Sequence, residues 1–194
     1  VVRWWAVKVD KVAILPKDNA SYGLPRRQSV ARTSKARALP PDTLTQVRDR
    51  YVRMSLQLQR AFGLRREESI KIHPVQADQG TRLVLKGSWT KGGHPREIPI
   101  RTAAQRALLD QAKALAKRGA LIPAHKSYVV QLHRYEHWTR QAGLSHLHGL
   151  RHAYAQDRFM ELAGFPCPAM GGPSRAQLTP EQREADYAAR VTTS

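Results

Sequence analysis

The chain has few cysteines, few acidic residues and no long apolar run, and each shortage excludes a class of protein. Its single cysteine, Cys167, cannot form a disulfide within the chain, which fits a reducing compartment such as the cytoplasm. No apolar run approaches the roughly 20 residues that a membrane-spanning helix needs, and residues 1–5 are too mixed for a secretory signal. The chain also lacks an initial methionine, so we expect a fragment of a longer protein.

Metal and nucleotide chemistry also lack their usual residues. No P-loop is present, which argues against ATP hydrolysis. There is no cluster of paired carboxylates and no Cys/His ligand set, and His146 and His148 would diverge on a helix because they are two residues apart. We therefore predict no metal site and no cofactor.

Positive charge, by contrast, is abundant: 33 lysines and arginines against 15 acidic residues give a formal net charge of +18 at pH 7. Such a field attracts polyanions, and nucleic acid is the first candidate partner. An acidic membrane surface ranks second, because no basic amphipathic stretch dominates the chain. An RNA-binding protein would be expected to carry an aromatic sheet motif, which is lacking.

The apolar patterns predict a mainly helical α+β fold with a small antiparallel sheet. Asp42 is expected to cap a helix that continues, with a break, to Phe62, where Gly63 ends it. Residues 81–87 and 96–100 predict two strands, with Gly92-Gly93 as the turn between them. Further helices are predicted from Thr102 to Gly119, from Ser127 to Ala142, over 147–163, and from Thr179 to Arg190. The side chains expected to face the core are Tyr51, Met54, Leu58, Phe62, Ala104, Leu108, Ala112, Leu115, Val129, Leu132, Tyr135, Leu150, Tyr154, Phe159 and Leu162.

One candidate site begins with His148 and Arg151, which are three residues apart and face the same way on the predicted helix. A cation beside a proton-transfer group suits chemistry on an anion, and in so basic a chain the obvious anion is a nucleic-acid phosphate. Because this spacing arises easily by chance in a basic, histidine-containing chain, the case depends on two earlier stretches, residues 63–68 and 90–100. The second places Lys91 at the tip of the predicted hairpin, although Lys91 alone fits a solvated edge-strand lysine.

Taken in order, the three stretches resemble the tyrosine recombinase (phage integrase) family. Gly63-Leu64-Arg65-Arg66-Glu67-Glu68 is similar to its Gly-Leu-Arg-x-x-Glu box. Lys91-Gly92, followed by Arg96 and Pro99, is similar to its β-hairpin lysine, and His148, Leu150, Arg151 and His152 to its His-x-Leu-Arg-His box. The resemblance covers roughly residues 34 to 165, and it rests on the order and spacing of all three boxes.

The likeness is greatest to a group of proteobacterial prophage integrases, through Trp4-Trp5-Ala6, Lys17-Asp18-Asn19-Ala20, Gly87-Ser88-Trp89-Thr90-Lys91-Gly92 and the His148 box. It implies a catalytic-domain fold of the DNA breaking-rejoining type and a location in the bacterial cytoplasm, at the nucleoid. The implied partners are double-stranded DNA attachment sites and further copies of the protein. The implied activity is integration or excision of a mobile element without metal or ATP.

For the site, the resemblance implies that Arg65 and Arg151 hold the phosphate from opposite sides, since a guanidinium pairs two oxygens and stays protonated. Lys91 would protonate the leaving 5′ oxygen, and His148 would assist proton transfer at the nucleophile. Glu68 is expected to orient Arg65 or to brace its helix. His152 is either a supporting residue behind the site or the donor of a structural hydrogen bond.

The family's nucleophile is a tyrosine just after a C-terminal Leu-Gly-His box, and no such box follows Arg151. Tyr154 falls on the core stripe of its own helix. Tyr187 stands at a plausible separation, but Glu184 and Asp186 beside it would repel a phosphate. We therefore expect the nucleophile to lie outside this chain, with Tyr187 as a weak candidate.

By the same resemblance, residues 1–14 end an N-terminal core-binding domain, 15–41 form a basic linker, and 42–194 form a catalytic domain that lacks its C-terminal end. The residues alone leave an alternative open for each of the first two segments. The first helix could be a cap on a single domain, and the linker could be a solvated loop. The first helix would place Val1, Trp4, Trp5 and Val9 on one side, and the linker's charge comes from Arg26, Arg27, Arg32, Lys35 and Arg37. The alternative function is a basic DNA-binding module without chemistry.

Overall fold

The computed structural model describes residues 2–15, 18, 20–24, 31 and 33–193, and the chain divides into two compact units, residues 1–31 and 32–194. In the first unit, helix α1 (Val2–Lys8) is followed by two 3-10 turns, Val12–Ile14 and Ala20–Tyr22. The predicted helix at the start of the chain is thus confirmed, and Trp4 and Trp5 are largely exposed. Several residues named above lie outside the described ones: Val1, Lys17, Asn19, Arg26, Arg27 and Arg32.

The second unit is mainly helical and contains a two-stranded antiparallel sheet, which confirms the predicted α+β class. Within the described ranges, no helix has the length and apolarity to cross a membrane. The helices are α2 (Pro41–Gln46), α3 (Arg50–Phe62), α4 (Arg66–Lys71), α5 (Pro74–Ala77), α6 (Ala103–Ala116), α7 (Tyr128–Gln141), α8 (His148–Ala163) and α9 (Pro180–Thr193), and the strands are β1 (Arg82–Leu85) and β2 (Arg96–Pro99).

The predicted break in the helix from Asp42 to Phe62 lies at residues 47–49, between α2 and α3. The residue that caps the longer helix differs from the predicted one. Helix α2 starts with Pro41, whose fixed φ suits a first helical position, so Asp42 lies inside the first turn and the predicted cap at Asp42 is wrong. Asp49 instead caps α3, because its carboxylate accepts two backbone N–H groups of that helix at 2.9 and 3.2 Å.

Other predicted helix ends are confirmed except for the C-terminal ends of α6 and α9, and α9 continues past Arg190 to Thr193. Thr102 and Gln105 form the capping box of α6, and Gly63 ends α3 in the left-handed conformation, with φ of 61°. Helix α6 does not reach Gly119. It ends at Ala116, because Lys117 adopts a φ of 55°. The N–H of Lys117 donates to the carbonyl oxygen of Lys113 and completes the last turn.

Most side chains expected to face the core are buried or half-buried, but three are exposed: Ala104, Val129 and Leu162. Each of these three lies in a terminal turn of α6, α7 or α8. There the helix extends past the elements that cover its middle, so the periodic pattern predicts burial that the packing does not supply. The inward position at the start of α6 is taken by Gln105, which donates to the carbonyl oxygen of Ala61 at 2.7 Å.

The core has two clusters, and α3 contributes to both. One cluster joins the buried sheet residues Leu83, Leu85 and Ile98 to Leu58 and Phe62 of α3 and to α6. The other joins the opposite side of α3 to α4, α7 and α8 through Val52, Leu56, Ile70, Tyr135 and Leu150. Because α3 is buried from two sides, the position of its C-terminal end is fixed, and the candidate site starts at that end.

The connection between β1 and β2 spans residues 86–95 and contains Gly92-Gly93, which the sequence predicted as its turn. Both glycines do have the positive φ that favoured them there, 86° and 75°. A 3-10 turn, Gly87–Trp89, precedes them. Trp89 is buried and stacks on His73, with 5.3 Å between ring centroids, so the base of this loop is attached to the core.

Candidate active site

The turn at Gly63 is the point around which the site is built. Gly63 ends α3 in the left-handed conformation and Arg65 is already the N-cap residue of α4, so Arg65 lies at the helix–helix junction, as predicted. A Cβ atom on Gly63 would overlap the ring of Tyr154, lying 3.0 Å from Cγ and closer still to Cδ1. Glycine is therefore required both by the backbone conformation and by the packing of α8 against this turn.

Glu68 supports the first arginine from beneath. Its side chain is fully buried, and its carboxylate accepts the backbone N–H of Arg65 at 2.7 Å and the Arg65 guanidinium at 2.6 Å. The same carboxylate accepts Nη2 of Arg96 at 2.7 Å. Such charge-assisted hydrogen bonds fix the direction of both guanidinium groups.

Arg96 joins this cluster through Glu68, although in the sequence it stood out only as part of the motif with Lys91 and Pro99. It starts β2, and its Nη2 also donates to the carbonyl oxygen of Gly63 at 3.4 Å. Burial lowers the pKa of Arg96, the charge of Glu68 opposes that shift, and the charge of Arg65 adds to it. The spacing of Arg96 from Pro99 was the only signal in the sequence, and it did not indicate the partner Glu68.

Arg151 reaches the same turn from α8. Its Nη1 donates to the carbonyl oxygen of Gly63 at 2.5 Å, so one backbone oxygen accepts both Arg96 and Arg151. Burial first, and then the charges of Arg96 and Arg65, lower the pKa of Arg151 to about 10. Arg151 is still protonated at neutral pH. Three guanidinium groups with one buried carboxylate leave this corner with an excess of positive charge.

Lys91 and His148 face a cavity of about 550 Å³ that Arg65 and Glu68 also line. Lys91 comes from the loop at residues 86–95 and His148 from the first turn of α8, and both are exposed. The structure thus brings together Arg65, Lys91 and His148, which lie far apart in the sequence.

His152 lies one turn beyond His148 on α8, with the two rings edge-to-face and 5.0 Å apart. Burial first, and then the charges of His148, Lys35 and Arg151, lower the pKa of His152. This lowered pKa favours the neutral imidazole of His152 and reflects the positive charge around it. The ring contact links His152 to His148. Among the described residues, the His152 ring makes no hydrogen bond.

Three of the described tyrosines bear on the question of an attacking group: Tyr135, Tyr154 and Tyr187. Tyr187 is 72% exposed on α9 and does not line the cavity. Tyr135 does line it, but it is buried, its hydroxyl is bound to Gln59 at 2.9 Å, and burial raises its pKa. Tyr154 packs beneath Gly63 and Arg101. In the described part of the chain, no three His, Cys, Asp or Glu side chains are grouped as a metal site would require.

Comparison with known proteins agrees with this geometry. The family model described as Integrase matches residues 26–157, which is more than half of the chain and spans Arg65, Lys91, His148 and Arg151. No curated protein and no solved structure matches the chain. The family model indicates a role in DNA integration or recombination, which suits the excess of positive charge in the site. The chain therefore belongs to the integrase family.

Proposed function

We propose that the protein is a site-specific recombinase of the tyrosine type, which cleaves and rejoins double-stranded DNA through a 3′-phosphotyrosyl intermediate. The proposal rests on one observation: the positively charged side chains are held around a single turn of the chain. Glu68 holds Arg65, the Gly63 carbonyl accepts Arg151, and the cavity in front of Arg65 also receives Lys91 and His148. This arrangement suits a phosphodiester, which needs cations around its oxygens and a proton donor at the leaving group.

In the proposed step, a tyrosine oxygen attacks the phosphorus and the bond to the 5′ oxygen breaks. Arg65 and Arg151 bind the non-bridging oxygens and stabilise the charge that develops on them. Because Glu68 and the Gly63 carbonyl already orient the two guanidinium groups, little reorganisation is needed in the transition state. Loss of one such oriented donor typically lowers the rate by about 10²–10³-fold.

We assign proton transfer to Lys91 and His148, which both line the cavity. Lys91 gives its proton to the leaving 5′ oxygen, and the long side chain on an exposed loop allows it to reach a bound strand. His148 accepts or relays the proton of the attacking hydroxyl. Glu68 contacts Arg65 and His152 contacts His148, so we propose that each of them positions its neighbour.

The attacking tyrosine is proposed to lie outside residues 1–194. Tyr135 and Tyr154 are packed in the protein, and Tyr187 stands on α9 with Asp186 beside it, which binds Arg190 at 2.8 Å. We further propose the organisation expected from the sequence: residues 1–14 end a core-binding domain, 15–41 link it to the catalytic domain, and several copies act together on a prophage-type attachment site in the bacterial cytoplasm.

Covalent trapping tests the proposal. Two proteins are incubated with nicked DNA that carries the attachment site of the mobile element. One is residues 1–194, and the other also includes whatever the gene encodes on either side. A denaturant-resistant protein–DNA adduct is then sought on a gel. Arg65→Ala and Arg151→Ala are compared with Arg140→Ala, an exposed arginine on α7 that lines no part of the cavity.

An adduct that forms with the longer version, disappears in Arg65→Ala and Arg151→Ala, and persists in Arg140→Ala supports the recombinase. An adduct from residues 1–194 that is lost in Tyr187→Phe supports the chemistry but overturns the assignment of the nucleophile. If no adduct forms, and the arginine variants lower DNA affinity only as much as Arg140→Ala does, the protein is a DNA-binding module without chemistry.

A further inference from the structure

A second cavity, of about 330 Å³, lies between residues 34–37 and the start of α8. Its charged or titratable lining residues are Lys35, Arg37, His146, His148 and His152, and none of its lining residues is acidic. His146 and His148 also line the 550 Å³ cavity, so the two cavities meet at these histidines. The second cavity is thus a basic extension of the candidate active site.

The backbone of residues 34–37 is packed on α8. The N–H of Arg37 donates to the carbonyl oxygen of Gly149 at 3.0 Å, and Ser34 Oγ donates to Gln156 at 3.0 Å. A Cβ atom on Gly149 would lie 2.6 Å from the carbonyl oxygen of Lys35 and would overlap the side chain of Arg37. The close approach therefore depends on glycine at position 149, and it holds Lys35 beside the α8 histidines.

The side chain of Lys35 is exposed, and no acidic partner of its ammonium group occurs among the described residues. It contributes to the field that keeps His152 neutral, together with His148 and Arg151. Cations gathered without a carboxylate repel one another, and a bound anion removes that repulsion. The cavity is therefore arranged for a negatively charged ligand.

We propose that Lys35 and His152 form a second phosphate subsite, which binds the DNA phosphate next to the one held by Arg65 and Arg151. The inference rests on the proposed function, because it takes DNA as the anion. A DNA strand carries regularly spaced phosphates, and two anion sites that adjoin at His148 fit such a strand better than a single free ion. On binding, His152 takes up a proton and donates it as a hydrogen bond to the second phosphate.

The test measures the salt dependence of affinity for a duplex oligonucleotide with residues 1–194, using Lys35→Gln and the control Lys117→Gln, an exposed lysine that lines neither cavity. Loss of one phosphate contact lowers the slope of log K against log salt by about one, and lowers the affinity roughly five- to tenfold near 0.1 M salt. The imidazole NMR signals of His152 should shift with DNA in the wild type and shift much less in Lys35→Gln.

A second variant, Gly149→Ala, displaces residues 34–37 without removing a charge and should reproduce the slope change of Lys35→Gln. If both variants bind like Lys117→Gln while Arg65→Gln weakens binding, the second subsite is overturned and the proposed function stands. If Arg65→Gln also binds like the control, the DNA site itself fails and the subsite falls with it.

Discussion

Glu68 and Arg96 form an ion pair, with 2.7 Å between Oε2 and Nη2, that joins helix α4 to strand β2. The Glu68 side chain is fully buried, and its other oxygen binds Arg65. One carboxylate thus connects the first arginine of the site to the sheet whose connecting loop bears Lys91. A buried carboxylate of this kind stabilises the fold only while both of its partners are present.

We expect Glu68→Gln to lower the free energy of unfolding by about 3 kcal/mol, because it leaves two guanidinium groups without their buried counter-ion. The neighbouring Glu67→Gln is the matched control. Glu67 pairs with Lys71 at the surface, so its loss should cost only about 0.5 kcal/mol. Urea unfolding of both variants measures the difference, and equal losses would show that the buried carboxylate has no special role.

Gly63→Ala should destabilise the protein more than Gly164→Ala. Both glycines end a helix with positive φ, 61° after α3 and 78° after α8, so alanine costs each about 1–2 kcal/mol of backbone strain. Only at Gly63 does the added Cβ overlap Tyr154, which adds about 1–3 kcal/mol. Thermal or urea unfolding compares the two, and a loss at Gly164 as large as that at Gly63 would contradict the packing argument.

His152 should make the fold less stable in mild acid. Its folded-state pKa lies below the ordinary 6.5, through burial and the charges of His148, Lys35 and Arg151. The unfolded chain therefore binds the proton more readily, and the stability that neutral His152 contributes is lost as the pH falls below about 6.5. Unfolding free energies at pH 7.0 and 5.5 should differ less in His152→Gln than in the wild type.

The control for this pH effect is His125→Gln, since His125 is exposed and lines neither of the two cavities described above. It should keep the wild-type difference between the two pH values. Should His152→Gln and the wild type lose the same free energy on acidification, the proton is not excluded from His152 in the folded state.

Trp89→Ala should release the loop that bears Lys91. Trp89 is buried against the sheet cluster and stacks on His73, so its removal costs about 3–5 kcal/mol and detaches the base of residues 86–95. Trypsin cleavage after Lys91 under native conditions reports the change and should become faster. Trp138→Ala, on α7, is the control: it lowers global stability without touching this loop, so cleavage after Lys91 should not rise selectively.

Capping and periodicity made most of the helices predictable, because their determinants are local. Thr102 with Gln105 and Gly63 at its turn act within a few residues of the chain. The errors fall where distant packing decides: Val129 and Leu162 have the right period but extend past the core. Gly92-Gly93 indicated the turn between the strands correctly, but only the packing of the buried Trp89 anchors the base of that loop.

By itself, the sequence determined the local pairs of the candidate site. The i, i+3 spacings place Glu68 beside Arg65, and Arg151 on the same side of its helix as His148, because helical geometry brings such pairs together. Only the tertiary structure decided that Arg96 binds Glu68, that Arg151 binds the Gly63 carbonyl, and that Lys35 faces His152. These contacts join residues far apart in the chain, and they exist because two core clusters fix α3, α8 and the sheet around one turn.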